Sequence, residues 1–303
     1  MSRTIPPMPS PTAEDFEDER PHLLAVAHRM LGSRAEAEDA VQEAWLRYAK
    51  VRTGGEIRDL RGWLTTVVGR ICLDVLKSAR VSRAAYPGQW LPAVFVDPDG
   101  DPARRAEMSD QIGLALLVVL ERLTPEQRVS LVLHDAFGVP FEDVAAVLST
   151  TEAAARQHAS RGRRAVAQGG VRHNADLAEQ RRVLTAFLDA ASNGDLQALA
   201  AVLAPDVVAL GDGGGLVATA PRPVAGAERV ARFYAGILRG RVDVAGLTVE
   251  PVLVDGDAGV LVRGHYTDGR PLLSVLGVAV ADGRITAIFN QMNPAKILMS
   301  DLL

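Results

Sequence analysis

The sequence predicts a multidomain chain in which two all-α domains precede an α+β domain with a curved antiparallel sheet. Three observations support this prediction. Apolar residues recur at helical spacing through residues 13–83, and a second helical pattern with a tight turn covers residues 111–170. Four apolar runs separated by Asp-Gly pairs then lie between residues 247 and 290, as expected for antiparallel strands. A chain of 303 residues has room for two or three domains.

Composition narrows the classes of function. The net charge of −4 argues against a protein that coats nucleic acid indiscriminately, so base-specific binding would rest on local basic patches. Cys72 is the single cysteine, which excludes a disulfide framework and a cysteine-rich zinc site and predicts a buried thiol. No metal site or cofactor is expected. Residues 1–12 are rich in Pro and Ser, and no run approaches the roughly 18 apolar residues of a membrane span, so the sequence predicts a cytoplasmic protein without membrane contact.

The first domain, residues 13–83, is predicted to be a helical bundle. Its opening helix begins with acidic residues near the positive end of the helix dipole and stops at Gly32. Ser33 caps a second helix, and one face of that helix is apolar. The other face presents four polar side chains: Glu36, Asp39, Gln42 and Glu43.

The third helix, about Asp59 to Arg83, combines an apolar face with a basic one. Five basic residues lie mostly off the apolar face: Arg61, Arg70, Lys77, Arg80 and Arg83. A basic helix with an exposed tryptophan can stack on unpaired bases and hold phosphates, which is one interpretation of Trp63. Trp63 also fits a core position, and by itself the pattern favours the core.

Residues 84–110 are predicted to be a linker, because six prolines and glycines exclude a long helix. Five linker residues are too apolar for a freely solvated tether and are expected to dock on another part of the protein: Trp90, Leu91, Pro92, Val94 and Phe95. A helix from Met108 to Leu123 follows.

Residues 111–170 contain a helix-turn-helix pattern. Thr124, Pro125 and Gln127 form a capping box at one helix start, Gly138 ends that helix, and Pro140 starts the next. A basic third helix begins at about Glu152. Its first turns offer Arg156 and Gln157 for base edges, and its later turns offer Arg161, Arg163 and Arg164 for phosphates. The alternative is a three-helix bundle with an arginine-rich solvated face.

Residues 174–303 are predicted to form the α+β domain. Helical spacing covers residues 177–191, 196–203 and 225–238, and strand-like runs cover 247–254, 258–266, 271–280 and 284–290. A further strand begins after Pro205 and is interrupted by the glycine-rich stretch at 211–215. Helices followed by a curved sheet predict a cone with a pocket at its mouth.

Residues 13–168 resemble bacterial sigma factors. The stretch AEDAVQEAWLRYAK resembles region 2.2, LRGWLTTVVGRICLDVLKSARVSR resembles regions 2.3 and 2.4, and residues 123–166 resemble region 4. Both motifs occur in this order without a region 3 between them, which is typical of the extracytoplasmic-function (ECF) group.

The resemblance implies partners. Asp39, Gln42 and Glu43 would meet the β′ clamp helices of core RNA polymerase. The minus-ten element of promoter DNA would lie against Arg61, Trp63, Lys77, Arg80 and Arg83, and the minus-thirty-five element against Arg156, Gln157, Ser160, Arg161 and Arg164.

The last domain resembles the SnoaL-like fold, and its combination with sigma regions resembles the ECF group numbered forty-one. The marks of that group are Trp90-Leu91-Pro92, Asp212-Gly213-Gly214-Gly215 and Asn293-Pro294-Ala295-Lys296-Ile297. Two positions depart from the group: a usual lysine is Leu216, and a usual acidic residue is Ala295. The resemblance implies that these three stretches meet and that a separate anti-sigma factor is not required.

Relatives with this fold include enzymes that place an acid–base residue in the pocket, for which the candidates are Asp212, His265, Tyr266 and Asp268. Turn chemistry explains both aspartates more simply, and a lone strand histidine is more often packed or solvated than catalytic. The sequence therefore predicts no enzyme, while a small ligand in the pocket remains open.

Two classes of function follow from these patterns: a polymerase subunit regulated in cis by its third domain, or a SnoaL-like enzyme or ligand sensor tethered to a DNA-binding segment. The region 2 pattern favours the first, because a tethered DNA binder needs no polymerase-binding helix. Removal of residues 174–303 is expected to change transcription strongly, and the sequence leaves open whether the domain activates or inhibits.

Overall fold

The computed structural model describes residues 13–51, 57, 59–98, 113–168, 173–237, 244–266 and 268–299. The helices are α1 (Ala13–Leu31), α2 (Arg34–Val51), α3 (Leu60–Ala84), α4 (Leu114–Glu121), α5 (Pro125–Leu131), α6 (Phe141–Leu148), α7 (Glu152–Gln168), α8 (Leu177–Asn193), α9 (Leu196–Val202) and α10 (Ala227–Gly236). The strands are β1 (Val94–Asp97), β2 (Leu203–Asp212), β3 (Val224–Ala225), β4 (Val244–Val254), β5 (Asp257–Tyr266), β6 (Pro271–Ala281), β7 (Arg284–Gln291) and β8 (Ile297–Met299).

Contacts divide the chain into two compact units. The first contains Met1–Val81 and Leu123–Ala165, and the second contains Ser82–Arg122 and Val166–Leu303. None of the helices in the described ranges is long and apolar enough to cross a bilayer.

In the first unit, the helices of both sigma-like regions share one hydrophobic core. Gly69 of α3 lies against Val147 of α6, and the guanidinium of Arg70 donates to the carbonyl of Ala146 over 2.9 Å. Because Gly69 has no side chain, α3 and α6 approach closely at this point. The shared core contains, among others, Phe16, Leu23, Tyr48, Leu64, Val129, Leu133, Val144, Ala155 and Ala159.

The capping signals of the helix-turn-helix are confirmed. Thr124 accepts from the Gln127 amide, and the Gln127 side chain accepts from the Thr124 amide, so the capping box closes at both ends. A π-helical turn, Val132–Ala136, extends α5, and Ser149 ends α6 in the left-handed conformation. These ends fix the angle at which α7 leaves the motif.

Two groups in this core have shifted pKa values. The expected buried thiol of Cys72 is confirmed, and burial raises its pKa to about 12. Arg128 is 2% exposed, and burial lowers the pKa of its guanidinium to about 10, an effect that the Glu36 carboxylate opposes.

The second unit is built on one sheet with the strand order β3-β2-β7-β6-β5-β4-β1-β8. The pairs β2–β7 and β1–β8 are parallel, and the other neighbouring pairs are antiparallel. Both central residues of the Asp255-Gly256 and Asp282-Gly283 pairs have positive φ, as two-residue hairpins require. The predicted fold class is confirmed.

The two faces of this sheet are covered by different parts of the chain. Side chains alternate along each strand, so neighbouring residues face opposite sides. Helices α8, α9 and α10 pack on one side around Phe187, Leu199, Val230, Val278 and Ile288. The other side is covered by residues from the linker and α4, which are Leu91, Val94, Val96, Leu114, Ala115 and Val118.

Some sequence-based boundaries differ from the structure. The linker prediction for residues 84–110 includes no regular structure, but Val94–Asp97 form strand β1 because they pair with β4 and β8. The helix expected from Met108 to Leu123 is described from Leu114 to Glu121, and residues 108–112 lie outside the described residues. Strand β2 continues through Asp212, so the glycine interruption begins at Gly213 rather than Gly211.

Candidate functional sites

The three residues predicted to contact polymerase lie along one side of α2. Asp39 and Gln42 are exposed, and Glu43 is partly exposed and accepts from Arg47 over 3.0 Å. Val41 and Ala44 point into the core. The structure therefore presents a polar, acidic strip on the surface of the first unit.

The basic residues of α3 have acidic neighbours. Arg61 is exposed and donates to Glu19 over 2.7 Å, and the Lys77 ammonium lies 3.8 Å from Glu126. Arg80 is exposed, while the side chain of Arg83 lies outside the described residues. Because Arg61, Lys77 and Arg80 are exposed, the basic side of α3 remains accessible.

Trp63 combines features of both interpretations. It is partly buried, packs against the shared core, and its ring lies 6.2 Å from that of Tyr48. Most of its contact in this structure is therefore with the core, as the helical pattern favoured.

Helix α7 presents its predicted DNA-contacting residues on one side. Ala155 and Ala159 are buried against the first unit's core, while Arg156, Gln157, Arg161 and Arg164 are exposed and Ser160 is partly exposed. Residues at i, i+1, i+4, i+5 and i+8 share a helix face. The structure thus brings these five residues together on one surface.

Several of these arginines are held in place. Arg156 pairs with Glu152 one turn earlier, and its guanidinium lies 4.6 Å from the ring centre of Phe141. Arg164 donates to Ser160 over 3.1 Å. Arg163 instead pairs with Asp135 over 2.8 Å, which turns it towards α5.

The three sequence stretches expected to meet come together around Asp212. Its carboxylate is fully buried and accepts four hydrogen bonds: from the Tyr86 hydroxyl (2.6 Å), the Leu91 amide (2.9 Å), the Gly214 amide (2.9 Å) and the Lys296 ammonium (2.7 Å). Two of these donors belong to the linker. We call Asp212, Lys296, Tyr86, Trp90, Leu91 and Asn293 the linker-docking cluster.

Lys296 is the cationic centre of the linker-docking cluster. Its side chain is 15% exposed, and its ammonium donates to the Leu91 carbonyl over 3.0 Å as well as to Asp212. The same nitrogen lies 4.2 Å from the ring centres of Tyr86 and Trp90. A buried cation is stabilised only when carboxylate, carbonyl and aromatic faces replace its water, and the linker supplies most of these groups.

The rest of the cluster joins the chain's tail to the linker. The Asn293 amide donates to the Tyr86 hydroxyl over 2.8 Å, and the Asn293 carbonyl caps the turn Pro294–Lys296. Burial, reinforced by the bond to Asp212, raises the pKa of Tyr86 to about 12, so the hydroxyl remains a donor at neutral pH.

Glycines are required beside the cluster. Gly214 and Gly215 have φ of 62° and 73°, a left-handed conformation that favours glycine. A side chain on Gly215 would meet the linker's Pro87 at 2.7 Å, and one on Gly213 would clash with the Val217 carbonyl. The positions that depart from the related group, Leu216 and Ala295, are both exposed.

The β4–β5 turn also binds the linker. The amide of Asp255 donates to the Phe95 carbonyl over 2.9 Å, and the Phe95 amide donates to the Asp255 carboxylate over 3.1 Å. The second carboxylate oxygen is buried without a hydrogen-bond partner in the described structure. Burial raises the pKa of Asp255 to about 7, because little water reaches the charged form.

Replacing Asp255 with asparagine is expected to change how stability depends on pH. The folded-state pKa lies above the unfolded value of about 4, so the folded form retains a proton that the unfolded chain releases. The free energy of unfolding should therefore fall as pH rises from about 4 to about 7. The Asp255→Asn variant has no charge at this position and should be more stable than the natural chain at pH 8 by on the order of 2 kcal/mol, and nearly equal at pH 4.

The measurement is urea unfolding at pH 4–5 and pH 8. The control is Asp282→Asn, because Asp282 occupies the same position of an Asp-Gly turn, with φ of 53°, but is exposed. The explanation is wrong if Asp255→Asn and the natural chain show the same dependence on pH.

A cavity of about 640 Å³ lies within the second unit. It is mostly apolar, with polar groups from Thr219, Tyr234, Tyr266, Arg270, Ser274 and Asn290. Of the acid–base candidates, Tyr266 lines the cavity, whereas Asp212 is used in the linker-docking cluster and His265 is exposed. Asp268 is exposed and pairs with Arg270 over 2.7 Å. Among the described lining residues, none is an aspartate, glutamate or histidine.

Among the described residues, no group of three or more His, Cys, Asp or Glu side chains is arranged so that it could hold a metal ion.

Sequence reasoning missed four linker contacts. The sequence patterns do not single out Tyr86, Gln89 or Gln291, and they place Asp255 only in a hairpin turn. Gln89 donates to the Ala220 carbonyl over 2.6 Å, and Gln291 donates to the Pro92 carbonyl over 2.8 Å. A glutamine side chain that donates to a distant backbone carbonyl has no characteristic sequence pattern, so it could not be predicted. The tyrosine beside Pro87 was the detectable signal, because an aromatic residue in a polar tether needs burial.

Family models match three segments of the chain. They are Sigma-70 region 2 over residues 16–81, Sigma-70, region 4 over residues 113–166, and the SnoaL-like domain over residues 184–288. These matches confirm the resemblances drawn from the sequence motifs.

Relatives match along almost the whole chain. The ECF RNA polymerase sigma factor SigJ of Mycobacterium tuberculosis H37Rv is 41% identical over 294 residues, which cover 95% of this chain and 94% of SigJ. A probable ECF RNA polymerase sigma factor, SigI of Mycobacterium tuberculosis CDC 1551, is 36% identical over 95% of each chain. The crystal structure of Mycobacterium tuberculosis SigJ superposes with a TM-score of 0.68 at 38% identity and covers 94% of this chain and 98% of that one.

Proposed function

The chain belongs to the extracytoplasmic-function family of RNA polymerase sigma factors, and we propose that it directs core polymerase to promoters under the control of its own C-terminal domain. The relatives are named as sigma factors, not as enzymes. The observation that supports the regulatory part is that the linker between the sigma regions forms one layer of the C-terminal domain. No separate anti-sigma factor is required in this proposal.

The polymerase-binding surface is assigned to the acidic strip on α2. Asp39 and Gln42 are exposed on a helix whose opposite side is fixed in the core, which suits a rigid docking surface. The β′ clamp helices of polymerase are the proposed partner.

Reversal of charge on this strip tests the proposed function. The double change Asp39→Lys and Glu43→Lys should weaken binding to core polymerase at least tenfold, because lysines would face the surface that the carboxylates now meet, while the fold is retained. Glu14→Lys with Asp18→Lys is the matched control, since these exposed acidic residues of α1 have the same spacing. Equal affinities of the natural chain and the α2 variant in a titration with core polymerase would contradict the assignment.

The promoter-binding surfaces are assigned to the basic sides of α3 and α7. We propose that Arg156 and Gln157 contact base edges, because they lie in the early turns of α7, and that Arg161 and Arg164 contact phosphates.

Substitutions along α7 test these roles on the polymerase holoenzyme. Arg156→Ala should weaken promoter binding by about 1–3 kcal/mol and relax the sequence preference at one base position. Arg164→Ala should weaken binding to all sequences and reduce the slope of log affinity against log salt concentration by about one. Arg181→Ala, at an exposed position of α8, is the control. The roles are wrong if Arg164→Ala alters sequence preference and Arg156→Ala does not.

The two sigma regions share a core, which supports the proposal that this arrangement is a closed form. The minus-ten and minus-thirty-five elements lie roughly 25 base pairs apart, which at 3.4 Å per pair is about 85 Å. A compact unit of this size is about 35–40 Å across. We infer that the two regions must separate before both can bind one promoter.

The linker determines how far they can separate. Residues 85–122, fully extended, would span about 125 Å. Docked on the sheet, β1 and α4 are fixed at two places and cannot extend, so the docked linker opposes separation. Because the C-terminal domain is tethered, its effective concentration at the linker reaches the millimolar range without any high-affinity contact. The proposal is therefore that linker docking inhibits transcription and that release activates it.

A further inference from the structure

The cavity of the second unit shares its wall with the linker-docking cluster. On β7 and the residue after it, Asn290 and Met292 line the cavity. The residues between and after them face the linker: Gln291 donates to the Pro92 carbonyl and Asn293 donates to Tyr86. This is the alternation that a strand imposes, so one backbone segment contacts both sites.

A second wall shows the same arrangement. Gly211 lines the cavity, while the next residue, Asp212, is the centre of the linker-docking cluster. The segment from Val217 to Ala220 also lines the cavity, and the Ala220 carbonyl accepts from the linker's Gln89 over 2.6 Å. A shift of β7 or of the segment from Gly211 to Ala220 would therefore move the groups that form hydrogen bonds with the linker.

The lining indicates the chemistry of an occupant. The volume of about 640 Å³ falls in the range of 300–1,000 Å³ that is usual for small-molecule sites. Leu247 and Val249 line the cavity and are nearly half exposed, so they offer an apolar surface to an entering molecule. Ser274 donates to Asn290 over 2.5 Å, which leaves the Asn290 amide nitrogen able to donate to an oxygen of the occupant.

We infer that this cavity binds a neutral, largely apolar small molecule with one or two oxygen atoms, and that its binding stabilises the docked linker. Arg270 is the single charged residue among the described lining residues and is already paired with Asp268, which disfavours a highly charged occupant. The absence of Asp, Glu and His from the described lining favours binding over acid–base catalysis. The regulatory consequence rests on the proposed function of the linker.

Thermodynamic linkage determines whether a bound molecule favours the docked or the released linker. An occupant in contact with Gly211, Val217–Ala220 and Asn290 would hold these segments in the positions that form hydrogen bonds to the docked linker. A ligand that binds the docked form more tightly than the released form shifts the population towards the docked form, and docking strengthens ligand binding by the same factor.

The experiment uses the full chain without polymerase. The probes are 2-naphthol and 2-anthrol, which have two and three fused rings and one hydroxyl. Binding is measured by calorimetry, and hydrogen exchange of the amides in residues 86–97 is measured by mass spectrometry with and without saturating probe. Exchange in this segment should slow at least threefold when a probe is bound, and Gln89→Ala should weaken binding of the same probe.

Blocked-cavity variants locate the site. Val262→Trp on β5 should weaken probe binding at least tenfold because Val262 lines the cavity. His265→Trp, on the same strand but exposed and not among the described lining residues, should bind the probe like the natural chain. Ala218→Trp, at an exposed position of the wall, provides a second blocked variant if Val262→Trp does not fold.

Three results would overturn the inference: no binding of either probe, binding that persists in the blocked variants, or binding that leaves exchange of residues 86–97 unchanged. Because polymerase and DNA are absent, each of these results leaves the proposed role of the linker in transcription standing. Failure of the transcription experiments would likewise leave a measured ligand site intact.

Discussion

Replacing Asp212 with alanine is expected to release the linker from the C-terminal domain. The substitution removes the acceptor of four hydrogen bonds, one of which comes from the Lys296 ammonium, whose side chain is 15% exposed. Breaking a buried ion pair by removing one partner costs about 3–5 kcal/mol. Hydrogen exchange of residues 86–97 should therefore accelerate by about two orders of magnitude or more, since 1.4 kcal/mol corresponds to a factor of ten.

Two further variants separate the contributions in this experiment. Asp189→Ala, at an exposed position of α8, should leave exchange of the linker unchanged. The double change Asp212→Ala and Lys296→Met should destabilise linker docking by less than the sum of the two single changes, because it removes both charges and leaves neither one buried alone. Exchange in Asp212→Ala equal to that of the natural chain would show that the linker is held by the apolar layer alone.

Removal of the tail after Gln291 is expected to differ strongly from removal of residues 174–303. The shorter deletion takes away Lys296, Asn293 and the parallel partner of β1, but leaves the sheet that covers α4. It should release the linker and raise transcription several-fold. The longer deletion exposes the apolar residues Leu114, Ala115 and Val118, each 4–5% exposed in the intact chain, and should lower the yield of active, monomeric protein.

Transcription from one promoter, at equal concentrations of monomeric protein, distinguishes the two truncations. Light scattering before each assay provides the control for association. Equal amounts of transcript from both truncations and the full chain would contradict a regulatory role of the C-terminal domain.

Much of the fold followed from local patterns in the sequence. The caps at Thr124 and the Asp-Gly turns are signals between neighbouring residues, and the structure has them as expected. The strand β1 could not be predicted in this way, because four residues in a Pro-rich segment become a strand only when β4 and β8 provide partners distant in sequence.

The candidate sites differ in the same respect. The exposed residues of α2 and α7 follow from helical spacing, so the sequence places them correctly on surfaces, although their roles stay predictions. In the linker-docking cluster, Asp212 and Lys296 are 84 residues apart, so local patterns indicate only a turn at Asp212, and the meeting of the two stretches followed from the family resemblance alone. The structure shows both functions in one side chain, since Asp212 accepts from the Gly214 amide and from Lys296.

The central claim is that a docked linker prevents the two sigma regions from engaging the promoter together. The most direct test is run-off transcription by holoenzymes formed with the natural chain, Asp212→Ala and Asp189→Ala, at saturating sigma concentration so that polymerase affinity does not limit the output. The account predicts that Asp212→Ala transcribes several-fold more than the natural chain and that Asp189→Ala matches it. If Asp212→Ala releases the linker in the exchange experiment yet transcribes no more than the natural chain, linker docking does not inhibit this sigma factor.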